Sequence, residues 1–174
     1  MNRTDAHNAT KEVIITGLSI ALVFVATFIN IKLPIGYGGL IHLGNVPLFL
    51  VAIIFGKKIG AIAGAFGMGL FDLLGGWFAW APGTFIIVGL MGYTVGWIAE
   101  HKNDMVGYVL AMLAACALKI VGYYIVEGLI YGNWIQPVAS IPGNLIQIGV
   151  AAVVVVPIVG VLRKALHQEV AAVR

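Results

Sequence analysis

The sequence is poor in charge. Only 10% of its 174 residues are Asp, Glu, Lys or Arg, where soluble domains carry about 25%. With 61% of the chain hydrophobic, a water-soluble fold of this length could not cover its apolar surface. The shortage excludes an ordinary soluble domain. It points to an all-α integral membrane protein, one compact domain over residues 1–174. Cysteine is scarcer still. Cys116 stands alone, which excludes an internal disulfide and a multi-cysteine metal site. No metal and no cofactor is implied.

Catalytic signatures are missing too. The chain has no G-x-x-x-x-G-K-[ST], no H-E-x-x-H and no G-x-S-x-G. Gly56-Lys57-Lys58 lacks the earlier glycine and the hydroxyl residue of a phosphate-binding loop. Ser19 and Ser140 are the only serines. The histidines are His7 and His167 in the terminal tails, His101 in a turn, and His42 in a loop. Only Ser140 and His42 fall on one side of the expected membrane, and both are loop-bound. The chain is therefore not expected to be an enzyme, and any ATP hydrolysis belongs to other subunits.

What the chain does have is long apolar runs. A spanning helix needs about 20 mostly apolar residues. Six apolar runs are candidates, at about 12–30, 44–56, 59–75, 82–99, 106–127 and 141–162, the second of them short. The first is read as a retained helix, since it is longer than a signal-peptide core and lacks a small-residue cleavage site. Basic residues then assign the sides. Arg3 and Lys11, Lys57 and Lys58, Lys102, and Arg163, Lys164 and Arg174 all fall on one side of a six-span chain. The other side holds only Lys32. That asymmetry predicts an N-in/C-in bundle in a prokaryotic plasma membrane. The net charge of +3 is topological, and no nucleic-acid partner is expected.

The outer loops are glycine-rich (IKLPIGYGGLIHLGN), tryptophan-rich (GGWFAWAPG) and mixed (YGNWIQPVASIPGN). Trp77, Trp80 and Trp134 fit either an interfacial belt or a stacking surface over a ligand. Glycines and alanines recur every fourth residue, at Gly56/Gly60/Gly64, Ala61/Ala65/Gly69 and Gly92/Gly96. Such stripes let helix backbones approach closely in lipid. Gly17 and Ala21 repeat the pattern on the first helix, for internal packing or for contact with another subunit.

Polar residues inside apolar helices are expensive and usually face a bundle interior or a cavity. Here they are Asp72, Lys119, Glu127, Asn144 and Gln147. Lys119 lies about 20 Å from the inner end of its helix at 1.5 Å per residue. Tyr123 and Glu127 follow it at i+4 and i+8. Asn144 and Gln147 share a face of the last helix. All converge on the outer leaflet. With Tyr37, His42 and Asn45 of the first outer loop and the two tryptophans, they make a candidate pocket. Its mixture of donors, acceptors and rings suits a small, flat, polar heterocycle better than a bare ion. A purely structural Lys119–Asp72 or Lys119–Glu127 pair is the alternative.

The stretch LIHLGNVPLFLVAIIFGKKIGAIAGAFGMGLFDLLGG (40–76) resembles the second and third helices of the S components of energy-coupling factor (ECF) vitamin transporters. PGTFIIVGLMGYTVGWIAE (82–100) resembles their fourth helix, and IPGNLIQIGV (141–150) their sixth. The resemblance is closest to the hydroxymethylpyrimidine or pyridoxine branch; riboflavin and pantothenate branches share the frame. It implies a six-helix bundle with a ligand near the outer face. It also implies a transmembrane coupling subunit (EcfT-type) and two cytoplasmic ATPases (EcfA-type) as partners. A small-residue motif on the first helix, matched here by Gly17 and Ala21, would meet the coupling subunit, and the protein would topple in the membrane during transport. The rivals are a self-sufficient secondary transporter using Asp72, Lys119 and Glu127 as a relay, and a membrane enzyme or structural subunit.

Overall fold

A computed structural model describes the backbone over residues 3–32 and 40–172 and the side chains over 7–31 and 40–162. Among the described residues six α-helices follow one another: α1 (Arg3–Thr27), α2 (Asn45–Phe55), α3 (Lys57–Leu74), α4 (Ala81–His101), α5 (Met105–Tyr131) and α6 (Ile141–Ala172). A 3₁₀ turn, Gln136–Ser140, precedes α6. The chain is not purely helical. Strands β1 (Asn30–Lys32) and β2 (Leu40–His42) pair antiparallel, with Asn30 opposite His42 and Ile31 opposite Ile41. This pairing ends α1 three residues short of the expected 30. At the other end the polar leader is helical, so α1 begins well before the expected 12. The last helix likewise runs ten residues beyond its last apolar stretch.

Four segments are long and apolar enough to cross a bilayer: His7–Thr27, Ala81–His101, Met105–Tyr131 and Gln136–Leu162. They make the chain a multi-pass membrane protein. Two expected spans differ. Helix α2 has 11 residues, a rise of roughly 16 Å, about half a hydrocarbon core. Helix α3 carries Lys57, Lys58 and Asp72. Rather than facing lipid, α2 sits inside: Leu48, Phe49 and Ala52 have no exposed surface. It packs on α1, α3, α4 and α6, while α3 lies between α1 and α4, and α5 between α4 and α6.

The glycine stripes explain how α3 and α4 meet. A Cβ on Gly92 would lie 2.2 Å from the Gly60 carbonyl oxygen. One on Gly64 would lie 2.7 Å from the Val88 carbonyl oxygen, and one on Gly96 2.5 Å from the Lys57 backbone. Any side chain would push the helices apart. Gly56 breaks α2 from α3 with φ of 90°, a conformation open to glycine. The Glu100 carboxylate then takes the Lys57 amide N–H at 3.1 Å and its ammonium at 2.7 Å, tying the turn to the end of α4.

Apolar residues also cover the outside. Val13, Leu18 and Leu22 of α1, Leu113 and Leu129 of α5, and Val153 and Val161 of α6 are exposed. In water such a surface would aggregate; in lipid it is the required solvent contact. Gly17 and Ala21 lie on this exposed face of α1, and a Cβ on Gly17 would meet nothing within 4 Å. Neither is buried against another of the described residues.

Candidate functional site

Between β2, the α3–α4 turn and the start of α6 lies a cavity of about 70 Å³. Nine of the expected residues line it: His42, Asp72, Trp77, Trp80, Lys119, Tyr123, Glu127, Asn144 and Gln147. Asn45 is fully buried behind this surface, its amide 3.5 Å from Gln147. Its Oδ1 has no hydrogen-bond partner among the described residues. Tyr37 lies outside the described residues. Trp134 is half-exposed and packs on Gly128 instead.

Lys119 is the centre of the inner wall. It is 1% exposed, yet among the described residues no carboxylate oxygen lies within 4.0 Å of its Nζ. The ammonium donates to Gln147 Oε1 at 3.1 Å and lies 5.6 Å from the centre of the Tyr123 ring. The direct Lys119–Asp72 or Lys119–Glu127 pair is therefore not formed. Lys119 fixes the Gln147 amide: with Oε1 facing the ammonium, Nε2 must face the other way, where it donates to the Leu40 carbonyl at 2.8 Å. Gln147 thus ties α5 and α6 to strand β2.

The carboxylates have other partners. Asp72 Oδ2 accepts from the Thr84 hydroxyl at 2.5 Å, and Thr84 Oγ1 is 3.0 Å from Tyr123 Oη. Glu127 Oε2 accepts from Ser140 at 2.7 Å, beside the Trp80 indole. Ser140 thus pairs with a carboxylate, not with His42, and no nucleophile–base couple forms between them. His42 accepts from the Gly44 amide at Nδ1, 3.2 Å away. Burial, then the nearby Lys119 charge, hold its imidazole well below its ordinary pKa. It is neutral at pH 7, and its proton must sit on Nε2. With one ammonium against two carboxylates, the described lining carries a formal charge of −1.

Trp77 and Trp80 form one edge-to-face pair, centroids 5.4 Å apart, and Tyr131 continues it at 6.0 Å. Trp77 and Trp80 line the cavity, and Tyr131 is not among its lining residues. Sequence reasoning missed Thr27, Leu40, Met68, Phe71, Thr84 and Gly143, and weighed Ser140 only as a nucleophile. Thr84 carried a usable signal: it opens α4 at the level where Asp72 closes α3. Thr27, Met68 and Phe71 carried none, since their spacing is that of ordinary packing. Among the described residues no cluster of His, Cys, Asp and Glu could hold a metal ion.

A solved structure of the S component of a bacterial ECF transporter shares this fold, with a TM-score of 0.70 at 22% identity, covering 93% of this chain and 98% of that one. The thiamine precursor transporter HmpT of Lactococcus lactis subsp. cremoris (strain MG1363) is 30% identical over 148 residues, 85% of this chain and 82% of that protein. An uncharacterized protein of Pyrococcus woesei is 30% identical over 112 residues, 64% of this chain and 74% of its own length. The profile of a family described as the S component of the ECF-type riboflavin transporter matches residues 7–164. By fold, by the extent of that match and by the relatives it has, the chain belongs to the family of ECF transporter S components.

Proposed function

We propose that this chain is the substrate-binding subunit of an ATP-driven importer for a single-ring vitamin precursor, hydroxymethylpyrimidine first and pyridoxine second. The observation that carries the reading is Lys119: a buried ammonium lining a small cavity, with an amide and a ring but no carboxylate of the described residues against it. A buried charge left so sparsely paired is costly, and a ligand acceptor would complete it. Aromatic rims and convergent donors and acceptors complete the description of a site for a flat polar heterocycle. The thiamine-precursor relative supports the choice of a pyrimidine. A cavity of about 70 Å³ favours one ring over a tricyclic flavin.

In this reading His42, Asp72, Trp77, Trp80, Lys119, Tyr123, Glu127, Asn144 and Gln147 contact the ligand, Asn45 supports Gln147, and Tyr37 belongs to the loop above. Both termini are cytoplasmic, and α2 and α3 complete a six-helix bundle. The partners are a transmembrane coupling subunit and two cytoplasmic ATPases, and Gly17 and Ala21 on the exposed face of α1 meet the coupling subunit.

Mass spectrometry of what detergent-purified protein releases on denaturation tests this, together with thermal shifts over a panel of vitamins and precursors. One pyrimidine or pyridine per chain, lost in Lys119→Met, is the expected result. An empty protein that none of the panel stabilises, yet that moves solute alone along a proton gradient in liposomes, would sink it.

A further inference from the structure

Resting on the ring-binding function just proposed, the geometry points to Asp72, held by Thr84 and backed by Tyr123, as the group that reads an exocyclic amine on the ligand. Thr84 has one hydroxyl proton, and a carboxylate only accepts. At 2.5 Å from Asp72 Oδ2, in the range of O–H bonds to an anion, that proton belongs to the carboxylate. Thr84 Oγ1 can then only accept from Tyr123 Oη, 3.0 Å away. With Asp72 ionised, the chain therefore runs Tyr123→Thr84→Asp72.

Two consequences face the cavity. The tyrosine proton is spent inward, so Tyr123 Oη offers only lone pairs. Among the described residues the one hydrogen bond to Asp72 falls on Oδ2 and leaves Oδ1 free to accept. This end of the pocket, built from α3, α4 and α5, is thus an acceptor surface. The lining also carries donors: the Lys119 ammonium, one turn before Tyr123 on α5, and His42 Nε2–H. Glu127 differs in what stands behind its hydroxyl: among the described residues Ser140 turns to Glu127 Oε2 and the Pro137 carbonyl, with no tyrosine behind it. A ring bearing an amine on one side and an acceptor on the other fits in one orientation, amine toward Asp72. A ring with an oxo group in place of the amine sets lone pairs against lone pairs. Thr84 touches no ring in this account; it is a positioning residue, holding one carboxylate oxygen and setting the polarity of the tyrosine.

The test compares two ligands within each protein, so that loss of overall affinity does not confuse the result. Purified full-length chain is titrated with 4-amino-5-hydroxymethyl-2-methylpyrimidine, with its 4-oxo counterpart, and with pyridoxine. The native chain should prefer the amine by about tenfold or more over the oxo ring, the scale of one mispaired buried polar group. Asp72→Asn, whose amide can donate to an oxo group, should bring the ratio near one or invert it. Thr84→Val should lower the ratio severalfold, and Thr84→Ser should retain it. Glu127→Gln should weaken both pyrimidines alike and leave their ratio as it is in the native chain. A native chain that binds both pyrimidines equally, or a preference that survives both Asp72→Asn and Thr84→Val, overturns the amine assignment and leaves the binding function standing. So does a preference lost in Glu127→Gln alone. A native chain that binds none of the three rings overturns both.

Discussion

Lys119 explains why a charge is tolerated at this depth. Its stem is buried and its head donates to Gln147, while the lining around it carries compensating carboxylates at longer range. His42 adds a titration that can be measured. The folded protein holds its imidazole well below the ordinary value of 6.5, through burial first and the Lys119 charge second. The unfolded chain takes up this proton as pH falls through about 6.5, and the folded chain does not until well below it. More protons on the unfolded side means stability falls with acidification. The unfolding temperature should therefore drop between about pH 6.5 and 5, with a shallower slope in His42→Gln. An identical slope in the variant would remove His42 from the account.

At the scale of elements, the closest contact is the crossing of α3 and α4. Gly92→Ala places a methyl 2.2 Å from the Gly60 oxygen, which is backbone and cannot swing aside. Overpacking of this kind costs about 1–3 kcal/mol, so the variant should unfold several degrees lower. Gly149→Ala and Gly160→Ala, on α6 with nothing within 4 Å of the added carbon, should leave stability unchanged or slightly raised. A thiol-reactive dye reporting on Cys116 as it becomes exposed measures all three. The small-residue stripes of α3 and α4 were legible as packing signals. Their partner was not, because a stripe states how closely something approaches, not what.

For the whole molecule, the basic residues near Lys57, Lys102 and the two ends predict a cytoplasmic side, and the cavity then opens outward. Single cysteines in a Cys116→Ala background check this. A membrane-impermeant maleimide on intact cells should label Ala139→Cys and spare Lys102→Cys; the reverse pattern would invert the topology and turn the cavity inward. As an S component, the protein is part of a transporter and not an enzyme. The exposed face of α1 with Gly17 and Ala21 is where such a part has surface to spare.

The sequence by itself determined that the chain lives in lipid, that it forms apolar helices in this order, and that its few intramembrane polar residues converge at one level. Composition and a repeat of 3.6 residues suffice for that, since they act locally along each helix. The tertiary structure decided the rest. It put the 11-residue α2 inside the bundle, where its apolar composition had suggested a span. It paired Asn30–Lys32 with Leu40–His42, where glycines suggested only a loop. It gave Asp72 to Thr84 and Glu127 to Ser140, leaving Lys119 to Gln147, although charge alone would have paired Lys119 with a carboxylate. Which groups hydrogen-bond depends on helix rotation and on approach within about an ångström, and those are set by packing among all six helices rather than by any one stretch of chain.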